Sequence, residues 1–131
     1  MLPERVAAVI IDAKQILLVT DKKADFFWTP GGKVEPGESH KAALGRELGE
    51  ELNVVLTSFT PYIIYRTVNQ VAGKTQFVHC YVVDIDGRPQ PHGEITEYGW
   101  FTKKYLLLNK PLVSRGIATI LLPQLIKDEL L

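Results

Sequence analysis

Three carboxylates, Glu47, Glu50 and Glu51, stand three and four residues apart in a stretch that otherwise reads as a helix. On a helix that spacing gathers them on neighbouring positions of one surface. Like charges so placed repel, weakening the helix by about 0.2–0.5 kcal/mol per pair. Gly45 and Gly49 lie in the same stretch and cost it about 1 kcal/mol each relative to alanine. A segment that breaks two local rules without local compensation is a candidate functional site. The natural compensation for clustered carboxylates is a bound hard cation. Mg²⁺ fits best, because it takes oxygen ligands and works with phosphate groups; Mn²⁺ is the expected substitute.

The wider segment runs Gly32-Lys-Val-Glu-Pro-Gly-Glu38, continues to Arg46-Glu47-Leu48-Gly-Glu50-Glu51, and closes on Leu-Asn53-Val54. It resembles the signature of the Nudix hydrolases, G-x5-E-x7-R-E-U-x-E-E-x-G-U, where U is a bulky aliphatic residue. Gly32, Glu38, Arg46, Glu47, Leu48, Glu50, Glu51 and Val54 match. The glycine near the end is replaced by Asn53, the usual second choice where a helix ends on a left-handed residue. The box covers under a fifth of the chain, yet its spacing is long and specific. The flanking Trp28-Thr-Pro-Gly-Gly32 and Glu94-Ile-Thr-Glu97-Tyr-Gly-Trp100-Phe101 are similar to the family as well.

The resemblance implies phosphoanhydride hydrolysis, which asks for charge neutralised on phosphate oxygens and for a positioned, activated water. Mg²⁺ suits both tasks. Glu47, Glu50 and Glu51 supply ligand oxygens, and by resemblance the Gly31 carbonyl joins them. A further carboxylate is expected from the pair Glu94 and Glu97, with Glu97 favoured and placed on a loop. One glutamate must also accept the proton of the attacking water, and Glu47 is favoured among several. Arg46 is expected to orient a glutamate, Glu38 being the nearest candidate. Lys33 is positioned to touch a phosphate or to be an ordinary exposed lysine. Phe26, Phe27, Trp28, Tyr65 and Tyr81 are aromatic surfaces that either stack on a base or pack in the core.

These residues need a scaffold. Val6–Ile11 and Ile16–Thr20 read as a hairpin of buried strands around an Asp12-Ala-Lys14 turn. The glycines and prolines from Pro30 to Gly37 mark a shaped loop. Ser39 is suited to cap a helix that runs to Leu52, with Leu44, Leu48 and Leu52 as its apolar stripe. Val54–Val68 and Thr75–Ile85 read as strands joined by a polar turn at 69–74, and Tyr98–Thr102 as a short strand. Ser114–Leu122 is apolar enough for a helix, which Pro123 ends or bends. One mixed α/β domain over residues 1–131 follows. The resemblance sharpens it to an α/β/α sandwich with a central mixed sheet.

Composition narrows the partners. The 131 residues carry fifteen basic and fifteen acidic side chains, so no overall field draws the chain to nucleic acid or to an anionic membrane. A single cysteine excludes a disulfide framework, and the scattered histidines show no zinc spacing. His79 reads as a packed strand residue, and His40 and His92 as surface positions. No signal-peptide pattern opens the chain, so a cytoplasmic protein, monomer or homodimer, is expected. The resemblance favours a nucleoside triphosphate, oxidised forms included, cleaved to monophosphate and pyrophosphate. Asn69-Gln70-Val71-Ala72 lacks the proline or tyrosine that flags ADP-ribose or dinucleoside polyphosphate hydrolysis in the family. The competing readings are an ADP-ribose or nucleotide-sugar pyrophosphatase, a non-catalytic nucleotide sensor, and an enzyme of RNA triphosphate ends or caps, which would want a basic track.

Overall fold

The computed structural model describes residues 3–69, 73–108 and 112–131. Its strands are β1 (Glu4–Val9), β2 (Ile11–Asp12), β3 (Gln15–Asp21), β4 (Gly31–Lys33), β5 (Val55–Val68), β6 (Thr75–Asp86) and β7 (Ile95–Thr102). Its helices are α1 (His40–Leu52), α2 (Lys103–Leu107) and α3 (Leu122–Lys127), the last entered through a π-helical turn at Ile117–Leu121.

β1 and β3 are apolar on both faces, as strands between two helical layers must be. Val6, Ala8, Leu17 and Val19 face Leu44, Leu48 and Leu52 of α1. Ala7, Val9, Ile16 and Leu18 face Leu106, Ile117, Leu121 and Leu125 of the C-terminal helices. The outcome is the expected α/β/α sandwich. Its mixed sheet has the order β4-β1-β6-β5, with β1 parallel to β6 and the other pairs antiparallel. A second, antiparallel sheet has the order β2-β3-β7.

The hairpin expected from Val6–Ile11 and Ile16–Thr20 is only partly formed. Ile11 and Asp12 pair with Ile16 and Gln15 across a turn with positive φ at Ala13 and Lys14, the handedness a tight hairpin requires. β1 itself pairs with β6 and β4 instead. A strand apolar on both faces gains more at the centre of a sandwich than in a two-stranded hairpin. β7 begins at Ile95, ahead of the expected Tyr98, because Asp21 and Thr20 of β3 pair with Ile95 and Glu97.

α1 has the predicted start and stop. Ser39 Oγ accepts the Ala42 N–H at 3.1 Å, and Asn53 turns left-handed at φ 55° while its N–H reaches the Gly49 carbonyl. A Cβ at Gly45 or Gly49 would meet nothing within 4 Å, so close packing does not demand those glycines. Pro123 does not end the C-terminal helix, which runs on to Lys127. The π-turn just before it supplies the wider winding that lets a proline ring sit inside a helix. Leu121, Leu122 and Leu131 are buried in the chain's own core. Of the expected polar turn, residues 70–72 lie outside the described residues, as does most of the Asn69–Ala72 stretch. Among the described residues no helix is long and apolar enough to cross a membrane.

Candidate active site

Two glycines bring β4 against α1. A Cβ on Gly31, whose φ is 146°, would lie 2.0 Å from the Val6 carbonyl oxygen. A Cβ on Gly32 would lie 2.4 Å from the Glu47 carboxylate. The backbone of β4 therefore touches both β1 and the carboxylate-bearing face of the helix, which no side chain at these positions would permit.

Arg46 organises the carboxylates. Its Nε and Nη2 grip Glu38 in a two-pronged pair at 2.7 and 2.9 Å. Nη1 reaches Glu47 Oε1 at 2.8 Å and lies 3.5 Å from Glu50 Oε1. Nη2 also donates to the Lys33 carbonyl at 3.1 Å, tying the loop to the helix. The Arg46 hydrogen bond, with a backbone N–H from Glu35, holds the Glu38 carboxyl down at about 2. Arg46 thus orients Glu38, Glu47 and Glu50 together, more than the single partner expected of it.

Glu51 sits deepest. Its Oε1 accepts the Gly31 N–H at 3.1 Å. Burial pushes its carboxyl up to about 8; the neighbouring Glu47 adds to the shift, while the Gly31 N–H and Arg5 oppose it. Arg5 also lines the cavity and donates to the Gly31 carbonyl at 3.3 Å. Nothing in the sequence singled out Arg5; its place follows from β1 pairing with β4, a long-range choice.

The loop between β6 and β7 closes the far end of α1. Gln90 N–H donates to the Leu52 carbonyl at 2.9 Å and His92 N–H to the Glu51 carbonyl at 3.0 Å. His92 Nδ1 lies 2.9 Å from the Glu50 carbonyl, which can only accept, so Nδ1 carries the proton. These donors satisfy carbonyls that a helix end leaves open.

A cavity of about 610 Å³ opens between these elements, a size suited to a small-molecule ligand. Gly31, Gly32, Glu47, Glu50 and Glu51 line it, together with Phe26, Trp28, Tyr65 and Gln76. The structure brings some of the expected residues to the cavity and places others elsewhere. Glu97 lies outside the cavity, exposed on β7 opposite Thr20, while Glu94 at the end of the loop lines it. The early start of β7 is the cause. Phe27 also lies outside: chain alternation turns it away from Phe26 and Trp28, and it packs edge-on to Phe101 at 5.3 Å. Tyr81 points to the opposite face of the mixed sheet from Tyr65, where its hydroxyl meets His40 Nδ1 at 2.7 Å. Lys33 is exposed and does not line the cavity. Cys80 is buried, its thiol pushed up to about 12 by burial, and it carries no chemistry here.

The model of the NUDIX domain matches residues 1–120 of the chain. The chain is similar to a CTP pyrophosphohydrolase of Escherichia coli, 37% identical over 94 residues that span 68% of each protein. The ORF135 protein of E. coli has a similar structure, with a TM-score of 0.79 at 29% identity, over 98% of this chain and 91% of that one. A NUDIX hydrolase from Nitrosomonas europaea gives 0.78 at 25% identity, over 98% and 88%.

Proposed function

Since the chain belongs to the Nudix family and is a hydrolase of nucleotide-linked substrates, we propose that it cleaves a nucleoside triphosphate to the monophosphate and pyrophosphate, with Mg²⁺ as its cofactor. The observation that carries this reading is the shared cavity, which Glu47, Glu50 and Glu51 line together with Phe26, Trp28 and Tyr65. The E. coli relative acts on CTP, which makes cytidine triphosphate the first nucleotide to test.

The donor set suits a hard cation. Three carboxylates line the cavity, and burial keeps one of them above its ordinary titration range until positive charge arrives. Glu47, Glu50, Glu51 and the Gly31 carbonyl would hold Mg²⁺. When bound, Mg²⁺ supplies charge neutralisation on phosphate oxygens and a more acidic water. The protein does the rest. Arg46 fixes one oxygen of Glu47 and so orients the carboxylate favoured to accept a proton from the attacking water. Glu94, from the loop, offers the further carboxylate in place of Glu97. Arg5 adds a positive charge that can meet a phosphate.

The test is a hydrolysis screen of the purified protein with Mg²⁺. It covers CTP, the other natural and oxidised nucleoside triphosphates, ADP-ribose and nucleotide sugars. Release of monophosphate and pyrophosphate, fastest from a triphosphate, is expected. Trp28→Ala should then lower kcat/KM by the equivalent of about 1–3 kcal/mol, the worth of a base–aromatic stack, and leave Mg²⁺ affinity unchanged. ADP-ribose or a nucleotide sugar turned over ten times faster would overturn the substrate class. No hydrolysis of any compound would favour a sensing role.

A further inference from the structure

Three side chains with metal-ligating atoms meet away from the cavity. Glu4 opens β1, His79 lies on β6 and His40 is the first residue of α1. Register explains the meeting. Val6 pairs with His79 and Ala8 with Tyr81, so Glu4, His79 and Tyr81 share the sheet face that α1 covers. Glu4 Oε1 lies 3.3 Å from His79 Nε2, and Oε2 lies 3.6 Å from His40 Nε2. All three candidate ligand atoms fall within 4.8 Å of one another. A tetrahedral Zn²⁺ with bonds of about 2.0–2.1 Å holds its ligand atoms roughly 3.4 Å apart.

Two further observations point to a ligand. His79 Nε2 is buried and makes no hydrogen bond, although Glu4 Oε1 lies 3.3 Å away; it is the one such side-chain atom among the described residues. A buried polar atom that makes no hydrogen bond in a folded protein demands a reason, and an ion is one. His40 is also oriented. The Tyr81 hydroxyl, 2.7 Å from Nδ1, can accept the Nδ1 proton and leave the Nε2 lone pair facing Glu4 and His79. A second partner of this kind fixes the tautomer of metal-bound histidines.

We propose that Glu4, His40 and His79 form a zinc site, distinct from the α1 carboxylates, with a fourth position open to water. Imidazole nitrogen prefers zinc and its neighbours, whereas an all-oxygen set prefers Mg²⁺. The two sites therefore sort metals by donor chemistry. The zinc would clasp the start of α1 to β1 and β6, a structural role.

The experiment uses the whole chain, stripped with a chelator, with Mg²⁺ held at a saturating level while Zn²⁺ is added. One equivalent of Zn²⁺ should move the side-chain Nε2 resonances of His40 and His79 in ¹H–¹⁵N spectra and leave those of His92 in place. Glu4→Gln, at the exposed start of β1, and His40→Ala should each weaken Zn²⁺ binding by about tenfold or more. Glu51→Gln should not change it, and Glu4→Gln should keep the Mg²⁺-supported hydrolysis rate. Unmoved His40 and His79 resonances, equal Zn²⁺ affinity in Glu4→Gln and wild type, or loss of the site in Glu51→Gln would each overturn the proposal.

Discussion

Adjacent glycines in β4 should fail in opposite ways when each gains one methyl group. In Gly32→Ala the new Cβ would lie 2.4 Å from the Glu47 carboxylate, where ordinary contact begins near 3.4 Å. The neighbour is the end of a side chain, so it can yield, but by about 1 Å. That movement breaks the 2.8 Å bond from Arg46 to Glu47. Both partners are partly exposed, so the loss of that ion pair costs at most about 1 kcal/mol. Activity is far more sensitive, since a misplacement of about 1 Å in a reacting group can cost a hundredfold. In Gly31→Ala the obstacle is backbone, the Val6 carbonyl at 2.0 Å, and the φ of 146° adds strain of about 1–3 kcal/mol. The β1–β4 pairing must open, and stability should fall by more than about 3 kcal/mol. Chemical denaturation and a pyrophosphate-release assay separate the two outcomes. Gly32→Ala should unfold near the wild-type midpoint yet turn over about a hundredfold more slowly; Gly31→Ala should unfold far earlier. A Gly32→Ala enzyme with wild-type kcat/KM would show that Glu47 need not stand where the structure puts it.

Three more outcomes follow from the same geometry. The Glu51 carboxyl is held up at about 8, above its unfolded value, so its contribution to stability is full below about 4.5 and lost as pH rises toward 8. The metal-free protein should therefore melt progressively lower across that window and Glu51→Gln should flatten the profile; parallel wild-type and mutant profiles would refute the assignment. Mg²⁺ should raise Tm with concentration in the wild type and much less in a Glu47/Glu51 double glutamine variant, and equal shifts in both would place the cation elsewhere. Gly45→Ala and Gly49→Ala should each stabilise α1 by about 1 kcal/mol in denaturant melts, because open space receives the methyl; destabilisation would mean the glycines serve a packing need.

Local rules made much of this molecule legible. The cap at Ser39, the left-handed stop at Asn53 and the buried stripe of Leu44, Leu48 and Leu52 all follow from residue type and helical period. The Arg46–Glu38 pair follows from spacing on α1 and its leading loop. What was not legible depends on pairing across the chain. Alternation makes β1 and β3 buried strands but cannot say that β1 pairs with β4, so Arg5 at the cavity was missed. A shift of three residues in where β7 begins exchanged Glu94 for Glu97. Tyr65 and Tyr81 look equivalent in sequence, and only the register of β5 against β6 sends them to opposite faces. The same limit hid Glu4, His40 and His79, which share no spacing pattern because three separate elements deliver them.

The fastening of the β6–β7 loop to the end of α1 bears on how this enzyme could change its tastes. Gln90 and His92 are anchor bolts, each fixed to a particular helix carbonyl. A third constraint lies at Gly93, where a Cβ would come within 2.9 Å of the Glu50 carbonyl oxygen. Insertions after Gln90 would tear these bolts and drag Glu94 from the rim. At Gly87 and Arg88 the loop is exposed, and neither residue bonds its backbone to a helix carbonyl. Loop length can drift there over evolutionary time, or be grafted in the laboratory, while the α1 carboxylates keep their stations.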